Sequence, residues 1–248
     1  MKFLKIITPT LILVAVALVY QSCTRDTPGI AARGSVALQS TIQVFNATNK
    51  AARNYIYVDG VPVSGSALAY QGVFPGTSYG FFVTAAPHTI LIKDTLPATT
   101  QVPLTFSPSL EVGKSYTVFM YDTITSPKQM TVLNNLDIPK DTTSRMRFAN
   151  FIYNTTPVPA VDVYSFRRGG VGGGGAPAVF SNVATNTVTD FVPFASQLTD
   201  TLYIYAAGTT SPALAKAFVT SLTPQRFYTT VYNGSFKGTK AGTVFTNY

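Results

Sequence analysis

Hydrophobic and polar residues alternate over short stretches along most of this chain. Residues 41–47 (TIQVFNA) and 145–151 (RMRFANF) place apolar side chains at alternate positions over part of their length. Residues 116–121 and 227–232 are rich in aromatic and β-branched side chains. Both features are typical of half-buried β-strands. Because no long stretch has the period of a helix, the pattern predicts an all-β protein.

Turn-forming pairs separate the strand-like stretches. Asp59-Gly60, Pro75-Gly76 and Asn233-Gly234 each combine residues that favour tight turns. Short strands with a turn about every 8–12 residues are typical of a β-sandwich or a β-barrel.

The chain contains an internal repeat. Five segments of the first half reappear in the second half in the same order, at offsets that grow from 104 to 112 residues. The matched segments are 41–47 with 145–151, Ile56-Tyr57 with Val163-Tyr164, 70–73 with 180–183, Leu110…Tyr116-Thr117 with Leu222…Tyr228-Thr229, and Thr131-Val132 with Thr243-Val244. We therefore expect one β-sandwich domain at 40–138, a linker at 139–144 and a second domain at 145–248.

One spacing indicates a particular kind of sandwich. Leu110 precedes Tyr116 by six residues, and Leu222 precedes Tyr228 by six residues. This resembles the tyrosine corner of immunoglobulin-like and fibronectin-III-like sandwiches, where the tyrosine hydroxyl bonds to nearby turn backbone. Its presence in both halves predicts two tandem immunoglobulin-like domains, with these four residues in a structural role.

Further residues of the second half resemble a known family, the domain-of-unknown-function family 4397. They are Arg145-x-Arg147-Phe148-x-Asn150, Pro159-Ala160-Val161-Asp162-Val163-Tyr164, Tyr228-Thr229 and Asn233-Gly234. The resemblance covers nearly all of the second half, and the first half is more divergent, with Tyr55 where the second has Asp162. It implies an exported or lipid-anchored protein of the bacterial envelope built from tandem copies, and it implies no activity.

The N-terminus resembles a bacterial lipoprotein signal. Lys2 and Lys5 precede an apolar stretch at 6–20, and Ser22 precedes Cys23, the single cysteine. The apolar stretch is shorter than the roughly 20 residues that span a bilayer. We expect a signal peptide at 1–22, palmitate-type acylation of Cys23, a flexible tether at 23–39 and anchoring in the outer membrane. A free thiol in an ordinary secreted protein is the alternative.

Composition excludes several classes of protein. Apolar residues make up 46% of the 248 residues, which excludes wholesale disorder, and the single cysteine excludes a disulfide framework. The net charge of +8 falls to +6 when Lys2 and Lys5 are removed with the signal peptide. This charge favours acidic glycans or anionic lipid headgroups, but without a clustered basic stripe we expect no nucleic-acid partner.

Candidate catalytic groups are scarce. His88 is the single histidine, and no nucleophile-elbow or paired-carboxylate motif accompanies it. Clusters with the spacing of zinc or calcium ligands are also missing from the sequence. We therefore expect no enzymatic activity, no cofactor and no metal, and we interpret His88 as a loop or strand-edge residue.

Three polar features have both a structural and a functional interpretation. Asp162 is either a strand-end carboxylate that bonds to a turn or a ligand acceptor. The glycine-rich stretch 169–175 lacks the Lys-Ser/Thr of a phosphate loop, so we expect a connection between strands, with Arg167 and Arg168 as a cationic contact in the alternative. Thr142, in the predicted linker, resembles the acceptor of Asp-Thr-type envelope O-glycosylation.

These observations favour a function outside catalysis. We expect a lipid-anchored cell-envelope protein that acts as a surface binding, adhesion or spacer module, with an envelope protein as partner. The alternative is a glycan-binding accessory protein of an envelope polysaccharide system. That alternative predicts exposed and aligned tyrosines, because tyrosine rings stack on sugars, although the absence of tryptophan weakens it.

Overall fold

The computed structural model describes residues 38–50, 53–76, 79–168 and 177–248. The predicted signal peptide, Cys23 and the glycine-rich stretch 169–175 lie outside these residues. Regular structure in the described part is β-strand, apart from short 3-10 segments such as Phe166–Arg168. The prediction of an all-β protein is therefore confirmed. Ala37–Tyr248 forms one compact unit.

The described residues form eighteen strands, nine in each half of this unit. The strands of the first half are β1 (Gln39–Asn46), β2 (Tyr55–Val58), β3 (Val61–Pro62), β4 (Val73–Phe74), β5 (Phe81–Thr84), β6 (Ile90–Lys93), β7 (Leu104–Phe106), β8 (Ser115–Thr123) and β9 (Ser126–Asn134). Those of the second half are β10 (Ser144–Tyr153), β11 (Val161–Ser165), β12 (Phe180–Val183), β13 (Thr187–Val188), β14 (Val192–Phe194), β15 (Asp200–Ala206), β16 (Ala215–Val219), β17 (Phe227–Ser235) and β18 (Lys240–Thr246).

Each half contains two sheets, and the strand order is the same in both halves. The first sheet has the order β4-β1-β8-β9, with β5 also paired to β1, and its counterpart is β13-β10-β17-β18, with β14 also paired to β10. The second sheet has the order β3-β2-β6-β7, and its counterpart is β12-β11-β15-β16. Among the described strands, β1 pairs in parallel with β8 and β10 with β17, and the other pairings are antiparallel.

This strand order differs from the predicted immunoglobulin-like or fibronectin-III-like order. In the immunoglobulin arrangement the first two strands share a sheet. Here β1 lies between β4 and β8, whereas β2 lies in the other sheet. The difference arises because β1 forms its ladder with β8, where Ile42 lies opposite Tyr116, and Met146 lies opposite Tyr228 in the same way.

The structure corrects two of the five sequence matches between the halves. Val73 on β4 lies opposite Phe45. At the equivalent position of the second half, Val188 on β13 lies opposite Ala149, so Val73 corresponds to Val188 and not to Val183. The match of Thr131 with Thr243 is displaced by one residue, because the turn after β17 is longer than the turn after β8. A displacement of one residue exchanges the two faces of a strand, so the error matters for assigning the core.

Two of the predicted turns have different outcomes. Asp59-Gly60 connects β2 to β3 with positive φ angles of 50° and 82°, as a tight hairpin requires. Asn233-Gly234 lies inside β17 instead of forming a turn. Gly234 has a φ of 107°, and a Cβ atom there would lie 2.2 Å from the carbonyl oxygen of Thr239. Glycine is therefore required by the close approach of this strand to the end of the turn that precedes β18.

Apolar side chains fill the space between the two sheets of each half. In the first half, Ile42 and Val118 of the first sheet pack with Ile56 and Ile92 of the second. The second half has the same arrangement in a larger cluster, which includes Phe148, Leu202 and Ile204. These two cores support a sandwich-like layout in each half.

A third apolar cluster joins the halves. It consists of Phe45, Ala47 and Phe119 from the first half and Ala149, Phe151, Val231 and Phe245 from the second. The rings of Phe45 and Phe245 lie 5.1 Å apart, and those of Phe119 and Phe151 lie 5.0 Å apart. The first sheet of one half therefore packs against the first sheet of the other half. The central strands of these sheets are buried on both faces.

Candidate functional site

The second sheet of the second half has one face in the core and one outer face. Leu202 and Ile204 of β15 lie in the core cluster, so the alternate residues Tyr203 and Tyr205 belong to the other face. Opposite Tyr203 lie Tyr164 on β11 and Lys216 on β16. The pairing of these three strands thus collects aromatic side chains that are separate in the sequence.

We call this surface the outer aromatic face, and it includes ring contacts across the strands. The rings of Tyr203 and Tyr205 are stacked, with centroids 6.2 Å apart and an interplanar angle of 11°. Tyr164 contacts Tyr205 edge-on at 5.8 Å, and Phe166 lies 6.4 Å from Tyr203. The members are Tyr164, Phe166, Tyr203, Tyr205, Lys216 and Phe218. Tyr205 is only 2% exposed and supports the exposed members of the face.

The outer aromatic face combines apolar surface with polar groups. Phe218 is 72% exposed and Phe166 is 57% exposed. The Nζ atom of Lys216 lies 4.8 Å from the centroid of the Tyr203 ring, within the range of a cation–π contact. Burial, followed by the neighbouring Tyr203 and Tyr164, raises the pKa of Tyr205, so its hydroxyl is protonated at neutral pH. Such a face can stack on a flat apolar ligand surface and hydrogen-bond to groups around it.

The equivalent face of the first half has fewer aromatic residues. Tyr57 is paired with Leu91, and Lys93 lies 5.1 Å from the Tyr57 ring. Each half thus has a lysine–tyrosine contact on this face, at different strands, whereas the ladder of several rings belongs to the second half.

The predicted tyrosine-corner residues form equivalent contacts in both halves. The hydroxyl of Tyr116 accepts a hydrogen bond of 3.0 Å from the N–H of Glu111. The hydroxyl of Tyr228 accepts one of 2.9 Å from the N–H of Thr223. Leu222 is buried in the core, and Leu110 packs against the core of the first half.

The family model for the domain of unknown function DUF4397 matches residues 40–164. The chain belongs to the DUF4397 family. The matched residues cover nearly all of the first half, from within β1, together with β10 and most of β11. A search of curated proteins finds no match to the chain.

Two asparagines of this DUF4397 protein have equivalent contacts. Asn46 accepts a hydrogen bond from the N–H of Thr48 and donates to the carbonyl of Leu68. Asn150 accepts from the N–H of Ile152 and donates 3.0 Å to the carbonyl of Val183. Both side chains are fully buried, so the predicted match of Asn46 with Asn150 corresponds to a shared structural role.

Asp162 bonds to two backbone groups outside its own strand. One carboxylate oxygen accepts a hydrogen bond of 2.7 Å from the N–H of Asn182, and the other accepts one of 2.8 Å from the N–H of Gly208. The side chain is buried, and its contacts are those of the structural interpretation.

His88 has partners that the sequence analysis did not find. Its Nδ1 lies 2.5 Å from Asp59 Oδ2, and its Nε2 lies 2.8 Å from the hydroxyl and 3.0 Å from the carbonyl of Thr84. The contact with His88, followed by the hydrogen bond from the N–H of Thr89, holds the pKa of Asp59 below its ordinary value. Asp59 lies 29 residues before His88, at the β2–β3 turn, and no sequence motif links the two residues. The hydroxyl, imidazole and carboxylate resemble a catalytic array, but the Thr84 carbonyl also accepts from the ring, which favours a structural clamp on the β5–β6 loop.

The other predicted positions are placed as follows. Thr142 is exposed in the connection between β9 and β10, and its carbonyl accepts a hydrogen bond of 2.5 Å from Ser196. Within the described ranges, no group of three or more His, Cys, Asp or Glu residues is arranged to hold a metal ion. No helix in the described part of the DUF4397 chain is long and apolar enough to cross a membrane.

Proposed function

We propose that this DUF4397 protein is a lipid-anchored protein of the cell envelope, held in the outer membrane, that acts as a non-enzymatic surface binding, adhesion or spacer module. The observation that carries the binding role is the outer aromatic face. It exposes Phe166 and Phe218 beside stacked tyrosines on one sheet. Clustered exposed aromatic surface is typical of contact sites, whereas single exposed apolar residues are ordinary.

The contact between the halves supports a module of fixed shape. The apolar cluster around Phe119 joins the first sheets, and Ala37–Tyr248 is one compact unit. A rigid unit presents a binding face with little loss of conformational freedom on binding. We propose that the two sandwiches are tandem copies of the family domain, and their common strand order supports this.

Intact mass spectrometry of membrane-fraction protein from the native host tests the anchor. The chain is compared with a Cys23→Ala variant. We expect a mature chain that begins at Cys23 and carries acyl chains, and we expect the variant to lose both the acyl mass and the membrane association. An unmodified Cys23 in a soluble chain would contradict the anchor. Additional hexose mass that disappears in Thr142→Ala would support glycosylation at Thr142.

A second candidate function is glycan binding for an envelope polysaccharide system. The partly exposed ring of Tyr203, held in place by the buried Tyr205 and beside the amine of Lys216, favours it, because sugars stack on such a ring and hydrogen-bond at its edge. A glycan array followed by calorimetric titration tests this function. Tyr203→Ala is expected to weaken binding about tenfold or more, which is the loss of one well-placed stacking contact.

The matched control is Phe82→Ala, because Phe82 is a 64%-exposed phenylalanine of the first half. This variant should leave glycan affinity unchanged. An array without binding, together with no thermal shift in envelope polysaccharides, would exclude the second function. Turnover of any substrate that is lost in His88→Ala would contradict the non-enzymatic role.

A further inference from the structure

Two clefts open beside the contact between the first sheets. One, of about 480 Å³, is lined in part by Gln43, and the other, of about 470 Å³, is lined in part by Arg147. Gln43 lies opposite Thr117 in the β1–β8 ladder, and Arg147 lies opposite Thr229 in the β10–β17 ladder. The same position of the repeat therefore places a neutral amide in one cleft and a cation in the other.

The Arg147 guanidinium is buried without a counter-ion. The side chain is 1% exposed, its Nε donates 2.8 Å to the hydroxyl of Thr229, and its Nη2 donates 2.9 Å to the hydroxyl of Thr117. Among the described residues, no carboxylate lies within 4.0 Å of it, and Nη1 forms no hydrogen bond to any of them. A buried cation without a compensating anion is costly. Burial lowers the pKa of Arg147 to about 9, which leaves the group charged at neutral pH.

Aromatic rings and apolar walls surround this cation. The guanidinium carbon lies 4.6 Å from the centroid of the Phe191 ring and 5.7 Å from that of the Phe119 ring. These contacts fix the plane of the guanidinium. Val132 and Val188 also line the cleft, so a ligand that reached Arg147 would contact apolar surface on its way.

Two carboxylates restrict the kind of anion. Asp137 and Asp190 line the same cleft and are exposed. Arg145 also lines the cleft, but it is paired with Asp141 at 3.7 Å. Asp137 and Asp190 therefore repel an anion with several charges more strongly than a single carboxylate that approaches Arg147. A carboxylate is planar and matches the donors of a guanidinium.

We propose that this cleft binds a small monocarboxylate with an apolar body, whose carboxylate accepts hydrogen bonds from Arg147 while the body packs on Val132, Val188 and Phe191. The cleft at Gln43 has a neutral amide at this position, and its own cation, Arg226, lies over the rings of Tyr79 and Tyr248, so we expect this cleft to bind the ligand more weakly. The site is independent of the outer aromatic face, because the two surfaces share no residue.

The test titrates the full chain with benzoate, hexanoate, the neutral isostere benzamide and inorganic phosphate, by calorimetry and NMR. We expect benzoate and hexanoate to bind, and benzamide and phosphate to bind at least about tenfold more weakly. Arg147→Gln gives the second half the residue that the first half has at this position. It is expected to lower benzoate affinity about tenfold or more without changing the response to benzamide.

Two further variants keep the proposal testable if Arg147→Gln does not fold. Asp137→Asn and Asp190→Asn remove repulsion in the cleft, so each should strengthen benzoate binding and leave benzamide unaffected. Equal affinity for benzoate and benzamide, benzoate affinity unchanged in a folded Arg147→Gln, or no binding up to about 10 mM would each overturn the proposal.

Discussion

At the residue scale, a buried asparagine joins the two sheets of the second half. Asn150 lies on β10 of the first sheet, and its side chain donates to the carbonyl of Val183 on β12 of the second sheet. The same side chain accepts from the N–H of Ile152. An aliphatic residue there would leave both backbone groups without this partner. Asn46 has the equivalent position in the first half.

Asn150→Ala is therefore expected to lower the free energy of unfolding by about 1–3 kcal/mol, because buried backbone groups lose their partners. Urea unfolding followed by circular dichroism measures the change. Asn135→Ala, at an exposed position, is the control and should change stability by less than about 0.5 kcal/mol. Equal effects of the two substitutions would contradict the role of Asn150.

The Asp59–His88 contact predicts a pH dependence. Because the pKa of Asp59 is held below its ordinary 3.8, the folded state favours the ionised carboxylate. This contribution is present above pH 3.8 and is lost as the pH falls through the lower value of the folded state. Asp59→Asn should reduce stability at neutral pH, and the difference from the native chain should shrink at about pH 3 and below. A double-mutant cycle with His88→Gln checks the cause, since a coupling that does not change with pH would contradict it.

At the scale of strands, β1 and β10 are buried on both faces, which the sequence pattern did not predict. The alternation in β1 and β10 indicated half-buried strands, and it correctly placed Ile42 and Phe148 in the cores. The polar positions between them, Gln43 and Arg147, are buried against the other half and do not face solvent. Alternation shows that the two faces of a strand differ, but it does not show that a second sheet covers the polar face.

The sequence pattern also does not predict which strands pair with each other. Leu110 and Tyr116 predicted the tyrosine-corner spacing, but this local motif is compatible with a strand order other than the immunoglobulin-like one. For the outer aromatic face, alternation in β15 separates Tyr203 from Leu202. The sequence gives no sign that β11 and β16 lie on either side, which is what brings Tyr164 and Lys216 to the same surface.

A strand-scale prediction concerns the contact of β18 with β16. A Cβ atom on Gly242 would lie 2.6 Å from Ala217 Cβ and 2.8 Å from the carbonyl oxygen of Lys216. Gly242→Ala should therefore separate the strands and cost about 1–3 kcal/mol of unfolding free energy. Gly238→Ala is the matched control, because its nearest atoms, on Ser235, are at ordinary contact distances. A Gly242→Ala protein as stable as the control, measured by thermal denaturation, would contradict the close approach.

At the scale of the whole compact unit, the cluster between the halves determines how the protein unfolds. Phe119 is fully buried and its ring lies within 6.4 Å of the rings of Phe45, Phe151 and Phe245. Separating the halves would expose these rings to water, which is unfavourable in proportion to the apolar area exposed. The halves are therefore coupled in stability although each has its own core.

Phe119→Ala should lower the free energy of unfolding by about 3–5 kcal/mol, because it leaves a cavity at the centre of the contact. In the native chain we expect one transition, with the same midpoint for methyl NMR signals of Ile56 in the first half and Ile204 in the second. The exposed Phe82→Ala is the control and should cost less than about 0.5 kcal/mol. Separate midpoints for the two halves of the native chain would contradict the coupling.

The parallel ladder between β1 and β8 has a consequence for the order in which the protein can fold. A ribosome releases β1 long before β8, yet Ile42 finds its partner only at Tyr116, near the end of the first half. The central strand β1 therefore lacks its partner strand, and its apolar face stays exposed to water, until almost the whole first half has been synthesised. Because β10 needs β17 in the same way, folding of this chain is expected to be slow and to benefit from a chaperone that keeps the chain unfolded until each half is complete.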